Sequence, residues 1–468
     1  MPGFRFIASA SVLTLAFATP AFPQESDLAR VREEMKDLKK NYEERLQALE
    51  KRLSDAEARA AAKPEAAAPP PPQASAPPPA PASPIRDAVN AFNPSISLIL
   101  QGTYARTSQD PANFVISGFV PSGGEVGPPP RSFGLGESEL IVTANIDPYF
   151  RGGLVASFTP DNQLEVEEAY FQTTSLPAGF TLKGGRFLSG IGYQNEIHQH
   201  AWDFQDAPLA YKAFLGGRYQ QDGVQLKWLA PTALFLEFGA ELGNGAAFPG
   251  NDRSKNGVGS TALFAHLGGD IGESWAWRAG GSYLRTGSRN RTYDDLDSTG
   301  ATVTNSFSGR SRVWVVDGVL KWAPNGNSTV RNFKLQGEYF RSRDHGDFSF
   351  NTGGPAMTDF LRTSQSGWYA QGVYQFMPRW RVGYRYDALR RGTVDIGLVN
   401  SGALTLADFP ALAMHDPTRQ TAMVEFNPSE FSRVRLQYSA DKSAVGGTDN
   451  QIFLQYIHSL GPHGAHRF

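Results

Sequence analysis

The sequence predicts an all-β fold, a 16-stranded antiparallel transmembrane β-barrel, preceded by an N-terminal coiled-coil helix and a Pro-rich linker. Three observations carry that expectation. From Phe92 onward apolar and polar residues alternate with period 2, in segments of roughly ten residues. Short and long connections alternate between the segments, as when one barrel rim carries tight turns and the other long loops. Aromatic residues stand at segment ends (Tyr149, Phe150, Trp228, Trp322, Trp368, Phe376 and Trp380), where a membrane interface holds amphipathic rings.

The composition of the 468 residues fits this class. Glycine (48) and aromatics (31 Phe, 16 Tyr, 8 Trp) are abundant, as in a wall with one apolar and one polar face. A net charge of -2 gives no bulk attraction for nucleic acid, so no nucleic-acid partner is expected. Cysteine is absent, which excludes disulfides, thiol chemistry and thiolate metal sites. No apolar run after the first 23 residues reaches the length of a membrane helix.

Residues 1–23 read as a secretory signal peptide: Arg5, an uncharged stretch Phe6–Phe17, then small residues with cleavage after Ala21 or shortly beyond. Residues 24–63 read as a periplasmic coiled coil. Leu28, Val31, Met35, Leu38, Tyr42, Leu46, Leu49, Leu53, Ala56 and Ala60 follow heptad spacing with one stutter after Tyr42. So narrow an apolar stripe predicts pairing with copies of itself; a lone solvated charged helix is the alternative. Residues 64–91 form a Pro/Ala-rich linker, with ten prolines in Pro64–Pro84. Extended like polyproline, that stretch spans up to about 65 Å, within reach of peptidoglycan or another periplasmic contact.

Residues 92–468 supply the barrel. Expected strands are 95–105, 137–147, 150–158, 163–173, 178–188, 222–229, 233–243, 260–269, 273–285, 311–323, 331–341, 367–377, 379–389, 418–427, 431–440 and 450–459. Val434, Leu436 and Tyr438 alternate cleanly with Arg433, Arg435 and Gln437. The segment 163–173 is untidy, with Glu165, Glu167 and Glu168 falling on both faces. Long connections are expected at 106–136, 189–221, 244–259, 286–310, 342–366 and 390–417. An even strand count returns the C-terminus to the side where the coiled coil begins. Phe468 suits the terminal aromatic of an assembly signal.

The connection within Lys183–Gly216 differs from the others. It crowds aromatics with Glu196, His198, His200, Asp203, Asp206 and Lys212. Folded into the lumen, these six residues would form a pore constriction, in which charged side chains orient solutes in transit. His198 and His200, with Glu196 or Asp203, offer an N/O donor set for weak divalent-metal binding; hydrogen bonding of wet histidines to the wall is the alternative. His458, His463 and His466 form a second histidine group near the C-terminus. No cofactor and no catalytic constellation is expected, so the chain reads as a non-enzyme.

The run GGRFLSGIGYQNE, followed by AWDFQDAPLAYKAFLGGRYQQDGVQLKW, resembles the phosphate-selective porin family. Gly185, Arg186, Phe187, Gly192, Tyr193, Glu196, Gly223 and Val224 carry the likeness. It implies a homotrimer of 16-stranded barrels in a bacterial outer membrane, among lipid and lipopolysaccharide, with the third long loop constricting each channel. The coiled coil and tether look like the periplasmic extension of some trimeric sugar porins. The basic ladder behind phosphate selectivity has no counterpart. Expected lumen residues carry both signs: Lys227, Arg278, Lys334, Arg381, Arg385, Arg433 and Arg435 against Glu139, Glu237, Glu241, Glu338 and Asp387. The expected function is passive diffusion of small hydrophilic solutes or ions. The alternatives are specific uptake of metal ions or other ligands by a receptor, and a structural envelope tether.

Overall fold

A computed structural model of the chain describes residues 94–123, 126–159, 163–251 and 256–461. The expected signal peptide, coiled coil and linker lie outside the described residues, as do His463, His466 and Phe468.

The wall is built from β1 (Ser95–Thr107), β2 (Ser132–Leu135), β3 (Ser138–Asn145), β4 (Phe150–Phe158), β5 (Leu164–Thr173), β6 (Phe180–Leu188), β7 (Gln220–Leu229), β8 (Phe235–Gly243) and β9 (Ser260–Ile271). It continues through β10 (Trp275–Leu296), β11 (Thr302–Trp322), β12 (Asn332–Phe350), β13 (Met357–Met377), β14 (Trp380–Ile396), β15 (Thr418–Ser429), β16 (Ser432–Lys442) and β17 (Asp449–Leu460). All pairings between neighbours are antiparallel, and β17 pairs with β1, so the sheet closes. Seventeen segments fill sixteen wall positions, because β2 and β3 both pair with β1 on the same side. The break falls at Gly136, whose N–H still reaches the Gln101 carbonyl at 2.9 Å. Each of the sixteen expected strands has its counterpart.

The barrel is inverted relative to a water-soluble protein. Arg385, Arg419, Arg433 and Arg435 are among the largest fully buried side chains, while Leu226, Phe238, Leu263, Val316, Val382, Leu436 and Leu454 are exposed. The register explains this. In β16 the alternation Arg433–Val434–Arg435–Leu436 puts every second residue inside, and only a lipid phase makes the apolar face the stable outer one. Aromatic pairs mark two levels on that face. Trp275–Trp322 and Trp380–Phe426 lie near the turns, and Tyr283–Trp314 and Trp368–Tyr386 lie further up. The eight residue steps from Trp275 to Tyr283 span about 27 Å of tilted strand, close to the height of a hydrocarbon band.

Three expectations are corrected. The connections at 286–310 and 342–366 are largely strand, and 390–417 gives up only 390–396 to β14: β10, β11 and β13 reach 22, 21 and 21 residues. Turns of 297–301 and 351–356 replace the first two. One wall is therefore tall (β10–β14) and the other low, with β3, β4 and β5 at 8, 9 and 10 residues. The untidy 163–173 segment contains a register shift opposite Val155 and Ala156, so both Glu167 and Glu168 point inward. Finally, the 189–219 segment is not alone in turning inward. Phe119 from the first long connection packs edge-on against Phe214 at 5.6 Å. Leu398, Phe409 and Leu412 from the 397–417 connection cover Phe307, Phe348, Phe350 and Leu361 of the tall wall.

Candidate functional site

Residues 189–219 leave β6, cross the lumen and return through α1 (Leu209–Leu215) to β7. The helix starts after Pro208 and stops at Gly216, a left-handed residue at φ 66° whose N–H bonds to the Tyr211 carbonyl. Ile191, Leu209, Tyr211, Phe214, Leu215 and Tyr219 form an apolar cluster with Phe264, Val315, Phe340 and Tyr369 of the wall. Its apolar contacts lie inside the barrel, among charged neighbours.

The first half of the segment is fastened by wall carboxylates. Glu241 accepts from Ser189 Oγ at 2.6 Å and Gly190 N at 2.8 Å, with Gln221 and Gln225 also donating to it. Glu338 accepts from the N–H groups of Tyr193 (3.2 Å) and Gln194 (3.0 Å), and from the hydroxyls of Tyr211 and Tyr369. Gly192, at φ 71°, lies directly under that carboxylate, where a Cβ would collide with Glu338 Oε2. The Tyr193 ring lies between Arg278 and Lys334, each 5.3 Å from its centroid. Lys227 bridges Glu196 at 2.8 Å and Glu237 at 3.5 Å.

The register shift in β5 organises the two histidines. His198 Nδ1 lies 3.0 Å from Glu167 and Nε2 lies 3.0 Å from Glu168, so the two adjacent inward acids hold both ring nitrogens. Burial opposes a charged imidazole there, but these hydrogen bonds and the Glu139 and Glu167 charges push its pKa up to about 10. His200 Nδ1 lies 2.8 Å from Glu139, and the two imidazoles stack with centroids 5.9 Å apart. The donor set that could hold a divalent ion is Glu139, Glu167 and His198, with ligand atoms all within 4.8 Å of one another. Glutamates of β3 and β5, rather than Glu196 or Asp203, complete it. Arg218 also reaches Glu167, at 3.0 Å, and would compete with a metal for that oxygen.

The second half meets arginines. Arg433 and Arg435 donate to the His200 and Trp202 carbonyls. Asp203 bonds Arg381 at 2.6 Å and Lys334 at 2.8 Å. Asp206 takes Arg419 at 2.6 Å, Arg385 at 3.0 Å and Lys212 at 3.2 Å. Burial works against both carboxylates, yet these cations hold them well below the usual range. Lys212 is pushed down by burial, against the pull of Asp206. Asp387 closes the set by accepting from Leu209 N at 2.8 Å.

A basic surface therefore does converge, across β14, β15 and β16, contrary to the reading of a lumen with no such grouping. It is compensated residue by residue. Glu425 lies directly between Arg381 and Arg435 in register, and Arg419 lies between Asp387 and Asp441. Sequence reasoning missed Arg419, Glu425 and Asp441. The alternation of Arg419 and Glu425 with Thr418, Gln420, Ala422 and Val424 was visible, but the loop carboxylate Asp206 that reaches Arg419 was not.

No family model matches the chain. An uncharacterized protein of Aquifex aeolicus is 32% identical over 361 residues, covering 72% of this chain and 70% of that protein. The chain belongs to the same family as that protein. Solved structures similar to it include the trimer form of OmpT, an outer membrane protein of Vibrio cholerae (TM-score 0.48, 11% identity, 79% of this chain, 100% of that one). The outer membrane channel DcaP of Acinetobacter baumannii gives 0.46 and 14%, over 79% and 98%. An anion-selective porin from Comamonas acidovorans gives 0.45 and 9%, over 79% and 99%.

Proposed function

We propose that this relative of the Aquifex aeolicus protein is an outer-membrane porin. It passes small hydrophilic solutes or ions by passive diffusion, and residues 189–219 narrow the passage. The observation that carries this reading is the inverted wall. An apolar exterior encloses a lumen lined by ionised side chains, and a segment anchored across that lumen must set its width and field.

The charges buried between the wall and residues 189–219 divide by side, acids on β3, β5, β8 and β12 (Glu139, Glu167, Glu168, Glu241, Glu338) and arginines on β14 and β16 (Arg381, Arg385, Arg433, Arg435). Each arginine already has a protein counter-ion or carbonyl. This supports a transverse field that orients dipolar solutes rather than a net-basic filter for phosphate. A homotrimer packing through the low wall, and a periplasmic coiled coil, complete the proposal.

Purified folded protein in a planar bilayer should conduct, with the reversal potential in asymmetric salt reporting its charge preference. Absence of any current overturns the porin reading. Cross-linking of the chain with and without residues 24–84 tests whether three copies assemble and whether the N-terminal segment is needed.

A further inference from the structure

On the outer face of the tall wall the apolar pattern ends abruptly. Above the aromatic pair Tyr283–Trp314, the next outward residues in register are Arg285, Arg312 and Arg343, directly opposite one another on β10, β11 and β12. One step further are Arg310, His345 and Arg362, again in cross-strand register. All five arginines are exposed, and among the described residues none of them forms an ion pair. What they touch is aromatic: Arg343 lies 5.7 Å from the Trp314 centroid and Arg362 lies 5.0 Å from that of Phe360. Asp395 stands opposite Arg362 in register on β14 without forming an ion pair with it, and the outward acids of β10 and β12, Asp294 and Asp347, lie further toward the rim.

Like charges placed directly opposite on paired strands destabilise a sheet. The row of three arginines, Arg285, Arg312 and Arg343, therefore has no internal explanation. Immediately below is an apolar recess of about 730 Å³. Small residues (Ala240, Ala265, Gly281) form its floor, and Phe238, Tyr283 and Trp314 stand around it. Tyr283 and Trp314 thus border both the recess and the arginines.

From this juxtaposition we propose that the outer face of β8–β12 is a binding site for a lipid with a phosphorylated, anionic headgroup. Its acyl chains fill the recess, and its phosphates neutralise Arg285, Arg312 and Arg343. The height is right for this pairing. The arginines follow the upper aromatic level by about 7 Å of strand, which is the headgroup layer. Guanidinium groups bind phosphate through paired N–H donors. The inference rests on the outer-membrane reading for its lipid phase, though not on conduction.

The test uses the full chain purified in detergent, with diphosphoryl lipid A, its dephosphorylated form and phosphatidylcholine as probes, read by native mass spectrometry. Diphosphoryl lipid A should bind tighter than either other lipid by on the order of tenfold or more, and added salt should weaken it. The triple substitution R285Q/R312Q/R343Q should abolish that preference while leaving single-channel conductance unchanged, since these side chains face away from the lumen. Equal binding of all three lipids, or a preference that survives the triple substitution, overturns the site. A change in the number of copies per particle with the lipid preference intact assigns the face to contact between copies, and also overturns it. If the triple variant does not fold, the unsubstituted protein decides: loss of either the phosphate preference or its salt dependence is fatal. Absence of current with the lipid preference intact would overturn the channel reading alone.

Discussion

The two halves of the 189–219 segment are held to the lumen wall by opposite chemistry. Before Trp202, wall carboxylates hold backbone N–H groups, hydroxyls and imidazoles: Glu241 at Ser189–Gly190, Glu338 at Tyr193–Gln194, and Glu167 and Glu168 at His198. After it, wall arginines hold full carboxylates, Asp203 and Asp206, together with bare carbonyls. At Glu241 and Glu338 the anchor tolerates neutral isosteres, because only the carboxylate is charged; at His198 both partners carry charge. The arginine anchors do not, because removing one charge strands several others in a place water reaches poorly.

The largest effect should therefore follow from D206A, which leaves Arg385, Arg419 and Lys212 without their shared counter-ion. A loss of about 3–5 kcal/mol is expected by analogy with broken buried pairs. It should be measured as a lowered midpoint of heat- or denaturant-induced unfolding, with larger and noisier single-channel currents. A stability equal to that of the parent would show the arginine anchor to be redundant.

E338Q should cost less, about 1–3 kcal/mol, since the amide keeps one acceptor for Tyr193, Gln194, Tyr211 and Tyr369 but loses the charge. A cost equal to that of D206A would erase the distinction between the two halves.

Titration sharpens it. Asp203 and Asp206 lie below the ordinary carboxylate range in the folded chain. Their contribution is present above the unfolded pKa and is lost only as pH falls through the depressed folded values. His198 runs the other way. Its contribution is full below its ordinary 6.5, declines as pH rises and is gone above about 10. Alkaline pH should therefore loosen the His198 anchor, seen as a rise in conductance that is smaller in H198Q. An identical alkaline profile in the two proteins would remove His198 from the anchor.

The smallest stability effect is expected at the Lys227–Glu196 pair, the more exposed of the anchors, worth about 0–1 kcal/mol. E196K should leave unfolding nearly unchanged and shift the reversal potential toward anions. An unshifted potential would place Glu196 outside the conducting path.

What could be read from the sequence follows from where lipid imposes a rule. Within the apolar band one face must be oily and the other can be ionic, so Arg433–Val434–Arg435–Leu436 gives away strand, register and inner face together. Above the band both faces are wet. In Arg285–Leu296 the inward Thr286 and Ser288 and the outward Arg285 and Arg289 are all polar, so the strand extension looks like loop. The register shift at Glu167–Glu168 left only a flaw in the alternation, which signalled an irregularity without saying that both acids point inward.

The sequence by itself determined the sixteen-position barrel, the inward assignment of Lys227, Glu241, Glu338, Arg381, Arg385, Arg433 and Arg435, and the singular composition of the 183–216 stretch. Those follow from period-two alternation, a local property. Only the tertiary structure decided which wall residue meets which residue of that stretch. Asp206 and Arg419 are 213 positions apart, and nothing local records their meeting. Closure of the sheet brings β14–β16 opposite β5–β8, and the segment between them is then fastened by whichever charges the two walls present.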